Sequence, residues 1–127
     1  MANQSASNKT ILLLISDQLS LSVVQEVLER EGYVVLPTGD FGTAVDRLDK
    51  CRPDLLIVRS YISSMPGHEA AKYLHAKCPR MRVLILGGLL DDDRLKHRYE
   101  IARFEVFPKP YPAVQLLEKV KEVLNTA

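Results

Sequence analysis

The sequence predicts an α/β protein, one domain in which five βα units wind around both faces of a parallel sheet. Two observations predict it. Short and almost uninterrupted apolar runs, of which Leu55-Leu56-Ile57-Val58 and Val83-Leu84-Ile85-Leu86 are the plainest, alternate with longer segments whose apolar residues recur at helical spacing. A strand that is apolar at every position has to be covered on both faces, and a parallel sheet with helices on each side does that. The length of 127 residues, 46% hydrophobic, suits one such domain and leaves no room for a second.

Each element follows from local chemistry. Residues 1–8 are polar and are expected to be a disordered tail, with the folded domain over 9–127. Residues 10–15 are the first strand. Residues 19–30 form a helix with Leu21, Val24 and Leu28 as its inward stripe, and Glu31-Gly32 ends it, because glycine takes the left-handed conformation found past helix ends. The second strand covers 33–36. Asp40 caps a helix running to Leu48, which Cys51-Arg52-Pro53 closes. The third strand, 55–58, is followed by a loop to Pro66-Gly67, a helix over 68–77, and a fourth strand over 83–86 that stops at Gly87-Gly88. Asp91-Asp92-Asp93 opens a fourth helix reaching Ala102, its acids suited to free amides and the helix dipole. A short fifth strand at 105–107 and a strongly periodic last helix at 112–124 complete the chain.

Bulk properties exclude several classes. With 17 basic and 16 acidic side chains, the net charge of +1 creates no field that would draw the chain to nucleic acid or an anionic membrane. The apolar stretch at 11–15 is far shorter than a membrane span or a signal-peptide core, so a soluble cytoplasmic protein is expected. Cys51 and Cys78 read as reduced thiols in a chain able to stabilise itself by burial. His75 and Cys78 lack the second pair a zinc site needs, and His68-Glu69 lacks the second histidine of a metalloprotease helix. No metal, cofactor or catalytic residue is expected.

The informative residue is Arg59, which ends the third strand, since in parallel α/β proteins ligands and reactive groups gather at the carboxyl ends of the strands. Its surroundings form a pattern. Glu31-Gly32-Tyr33 after the first helix, Pro53-Asp54 before the third strand, the spacing from Arg59 to Gly67 and from Gly87 to Lys109, and Lys109-Pro110 after the fifth strand together resemble the response-regulator receiver domain. The resemblance covers about residues 9–124. It implies a flavodoxin-like fold with strand order 2-1-3-4-5 and a place in two-component or phosphorelay signalling.

The resemblance also says what is altered. Receivers resemble one another in carrying two adjacent acids after the first strand, which with a phosphoacceptor aspartate at the end of the third hold Mg²⁺; the matching residues here are Ser16, Asp17 and Arg59. The hydroxyl that meets the phosphoryl group is replaced by Gly87 and the switching aromatic by Val106, while Lys109 is kept. A guanidinium is neither a carboxylate nucleophile nor a metal ligand. Asp17, Arg59 and Lys109 sum to a net positive pocket, in which Arg59 is expected to take the vacated metal position and pair directly with Asp17, displacing Lys109.

The expected function is that of an atypical, non-enzymatic receiver acting as a phosphorylation-independent interaction module. Its partner would be a kinase or downstream effector, or a second copy of the chain. The expected interaction face joins the fourth helix, fifth strand and last helix through Arg94, Arg98, Tyr99, Glu105 and Lys119. The alternative is an anion or small-ligand sensor in which Arg59, Lys109 and the backbone at Gly87 converge on the ligand.

Overall fold

The computed structural model describes residues 9–59, 61–62, 65–87, 105–108 and 113–125, with residues 61 and 105–108 described by their backbone. In chain order the elements are β1 (Thr10–Leu14), α1 (Gln18–Arg30), β2 (Val34–Thr38), α2 (Phe41–Lys50), β3 (Leu55–Arg59), the two-residue strands β4 (Tyr61–Ile62) and β5 (Met65–Pro66), α3 (Gly67–Lys77), β6 (Arg82–Gly87), β7 (Glu105–Pro108) and α4 (Ala113–Asn125). Five strands form one sheet in the order β2-β1-β3-β6-β7, every pair parallel. Counting only these five, the order is the expected 2-1-3-4-5.

The pleat of the strands divides their side chains into two layers. Ile11, Leu13, Ile15, Leu55, Ile57, Leu84 and Leu86 point to one face and pack under Leu21, Val24 and Leu28 of α1 and Leu116, Val120 and Val123 of α4. Leu12, Leu14, Leu56, Val58, Val83 and Ile85 point to the other, under Ala44 of α2 and Ala70, Ala71 and Leu74 of α3. Burying a side chain of this size is worth roughly 1.5–3 kcal/mol, so the two layers carry the stability of the fold.

The amino ends of the central strands are pinned through Asp54. Its carboxylate accepts from the Thr10 amide at 2.8 Å, its own amide donates to the Thr10 carbonyl at 2.8 Å, and its carbonyl accepts from the Arg82 amide at 3.0 Å. Three strands therefore start in step. At the other end of α1, Gly32 has φ 101°, the left-handed conformation expected there, and its amide donates to the Glu29 carbonyl at 3.0 Å. Lys121 of α4 lies 3.0 Å from Glu31, joining the two helices on that face.

Three details differ from the sequence reading. β2 runs to Thr38 through Pro37, because β2 is an edge strand and a proline without an N–H is tolerated there. The stretch after β3, expected as loop, holds the antiparallel pair β4–β5, with Tyr61 opposite Pro66 and Ile62 opposite Met65. Ile62 is only 3% exposed and anchors this pair in the layer under α3. Finally, α3 begins at Gly67 with Pro66 as its N-cap and no side-chain capping bond, leaving Glu69 as the acid in its first turn. The expected tail at 1–8 and the helix at 91–102 lie outside the described residues.

Candidate functional site

The sheet order reverses direction between β1 and β3, and a crevice opens at the carboxyl ends of strands where this happens. Both sides of it are visible here. β1 pairs with β3 only as far as Leu14 opposite Val58, so Arg59 extends one position beyond β1 while still pairing with Leu86 of β6 on its other side. Past Leu14 the chain turns away: the Ile15 amide donates to the Thr38 carbonyl at 3.0 Å, and Ser16 and Asp17, both exposed, lead into α1.

Alternation along β3 places Arg59 on the face of Leu55 and Ile57, the face covered by α1. The half-buried guanidinium accordingly meets that helix, and its Nη1 donates to Ser20 Oγ at 3.1 Å. The Ser20 hydroxyl donates in turn to Asp17 Oδ2 at 2.5 Å, and the Ser20 amide donates to the same oxygen at 3.1 Å. Asp17 is the N-cap of α1, in extended conformation with φ −81° and ψ 116°. Its carboxyl is held below the usual carboxylate range, first by the Ser20 hydroxyl, then by the Ser20 amide, with a smaller contribution from the Arg59 charge.

The expected direct Arg59–Asp17 pair is therefore corrected to a relay, because the start of α1 interposes Ser20 between cation and anion. Ser20 was not singled out from the sequence. The signal was present, since an aspartate followed three positions later by a hydroxyl residue at a helix start is the spacing of an N-cap and the amide it accepts from.

The remaining site residues fall as follows. Gly87 ends β6, buried, opposite Pro108 of β7, and Val106 pairs with Ile85. Glu105 opens β7 opposite Leu84. Lys119 sits on α4 with its side chain 20% exposed and its ammonium 3.3 Å from Glu122. Lys109, Arg94, Arg98 and Tyr99 lie outside the described residues, so that of the anion cradle expected from Arg59, Lys109 and the backbone at Gly87 the structure describes only Arg59 and Gly87. Among the described residues no three of His, Cys, Asp and Glu gather closely enough to hold a metal ion. Among them, too, no helix is long and apolar enough to cross a membrane.

Comparison with known proteins agrees with this architecture. Residues 11–121 match the family model described as the response regulator receiver domain. The chain is 27% identical over 114 residues to sporulation initiation phosphotransferase F of Bacillus subtilis, covering 89% of this chain and 92% of that protein. It is 24% identical over 118 residues to the alkaline phosphatase synthesis transcriptional regulatory protein PhoP of the same organism, of which it spans 49%. Among solved structures, a CheY-like receiver domain protein from Methanospirillum hungatei superposes with a TM-score of 0.83 at 25% identity, over 92% of this chain and 94% of that one. A receiver domain from Clostridium thermocellum superposes with a TM-score of 0.81 at 23% identity, over 92% and 94% of the two chains. The flavodoxin-like sheet, the position of Arg59 at its switch point and the match over nearly the whole chain agree, and the chain belongs to the response-regulator receiver family of two-component signalling.

Proposed function

We propose that this receiver works as a phosphorylation-independent protein-interaction module in a cytoplasmic two-component or phosphorelay pathway, binding a kinase or an effector rather than catalysing a reaction. The observation that carries the reading is Arg59 at the carboxyl end of β3, bonded to α1 through Ser20. An acyl phosphate needs a carboxylate oxygen to attack phosphorus. A guanidinium stays protonated at any physiological pH and has donors only.

The donor set is equally unsuited to the Mg²⁺ that the family implies. A hard divalent cation requires several oxygen ligands, and the best one present, the Asp17 carboxylate, already accepts from the Ser20 hydroxyl and amide, with the Arg59 charge nearby. Ser16 offers no charge to offset the arginine. We assign no step through the metal.

Incubation with acetyl phosphate and Mg²⁺, followed by intact-mass measurement, is expected to show no added phosphoryl group. A stoichiometric, hydroxylamine-labile adduct would overturn the proposal. Arg59→Asp alone is expected to stay unlabelled as well, because Ser16 and Gly87 still stand where the family has an acid and a hydroxyl. Partner binding is expected to be the same before and after such treatment.

A further inference from the structure

We propose that Ser20 is a positioning residue through which Arg59 locks the first turn of α1 onto the carboxyl end of β3, holding the start of that helix in one place without any ligand. The bonding order admits no other arrangement. A guanidinium cannot accept and a carboxylate cannot donate, so a hydroxyl between them accepts from Arg59 Nη1 and gives its single proton to Asp17 Oδ2. Both ends are charged, which strengthens each bond, and a hydroxyl polarised from one side is a better donor on the other.

The connection is long-range in sequence and short in space. Residues 20 and 59 belong to a helix and a strand that the pleat of β3 brings together, because Arg59 shares the face of Leu55 and Ile57 that α1 covers. The N-terminus of α2 provides an internal comparison. There Asp40 accepts from the Thr43 amide at 3.0 Å and from Thr43 Oγ1 at 2.8 Å, the same cap chemistry at the same spacing. No arginine is bonded to Thr43 among the described residues. The third member of the chain at α1 is thus additional to capping: it joins the helix start to the sheet, where the cap of α2 serves its own helix alone.

Native-state hydrogen exchange tests this at the amides of residues 20 and 21, which donate to the Asp17 carboxylate and carbonyl respectively. Ser20→Ala and Arg59→Met each break the link to the sheet and are expected to speed exchange there about 3- to 10-fold, the range for the net loss of an ordinary hydrogen bond. The double variant is expected to exchange no faster than the faster single one, since both remove the same link. Ser20→Thr, which keeps the hydroxyl, is expected to restore protection. Thr43→Ala supplies the capping control: its effect in α2 is expected to be identical with and without Arg59. Unchanged exchange in Arg59→Met, or additive effects in the double variant, would overturn the lock. Should Arg59→Met fail to fold, Arg59→Gln carries the same test with a polar side chain too short to bridge. Phosphoryl labelling bears on the proposed function and exchange bears on the lock, so either can fail while the other stands.

Discussion

Leu19 and Leu21 stand two positions apart in α1 and should respond very unequally to truncation. Leu21 is 6% exposed and packs in the layer beneath α1 and α4, whereas Leu19 is 74% exposed. Leu21→Ala removes about three buried carbons at roughly 0.8 kcal/mol each, near 2.4 kcal/mol, and the cavity left behind raises the cost to about 3 kcal/mol. Leu19→Ala removes the same atoms from a site already in water. About a quarter of the transfer term remains, near 0.6 kcal/mol, and alanine's slightly better helix propensity offsets part of it, so the net change should lie within about 0.5 kcal/mol. Urea titration separates the two, because with a slope of about 1–3 kcal/mol per molar a loss of 3 kcal/mol moves the midpoint by about 1 M or more. Leu19→Ala should leave it within error. Equal losses in both variants would mean that α1 is covered on both faces, and would refute the orientation that brings Ser20 to Arg59.

Three further outcomes are expected. Gly32→Ala places a Cβ on a residue with φ 101° and should cost about 1–2 kcal/mol, read as a lowered urea midpoint with unchanged slope. The depressed carboxyl of Asp17 contributes stability that is present above the unfolded-state pKa of an aspartate and is lost as pH falls through the lower folded value; Asp17→Asn should therefore flatten the acid limb of a thermal-midpoint profile and lower the midpoint at neutral pH. A raised midpoint at neutral pH would contradict the relay. Cys51 is exposed and Cys78 is 8% exposed, so a thiol reagent on the native protein should modify one cysteine rapidly and the second at the rate of opening.

The fold was legible because its three central strands carry unbroken apolar runs, 11–15, 55–58 and 83–86, which double-sided burial explains. The same reasoning failed where pattern is too short to carry information. Tyr61-Ile62 and Met65-Pro66 make strands of two residues each, too brief for any period to register, and their pairing depends on Ile62 finding the layer under α3. The second strand was expected to stop at Leu36, yet it runs on through Pro37 to Thr38, where the edge position makes the missing amide harmless. At the site, Arg59 was placed correctly by counting along β3, and Asp17 by its position after β1. What the sequence reading missed was Ser20. Its significance is tertiary: the parity of β3 and the placement of α1 over that face bring a helix hydroxyl against the guanidinium.

The position of these residues also explains how a receiver can carry an arginine at the end of β3 and keep its architecture. Residues 55–58 are fully buried and divide between the two layers, but Arg59 lies one step beyond the last β1 partner, half-buried at the rim. A charge inside either layer would need a partner or impose a desolvation cost of several kcal/mol. At the rim, the aliphatic stem of the arginine can lie along the α1 face while its head reaches the polar start of the helix. The strands that define the fold are thus indifferent to the side chain at their carboxyl ends. Chemistry there can change from a carboxylate to a guanidinium without disturbing the core, and the residue that has to adapt is the first hydroxyl on α1 within reach, Ser20.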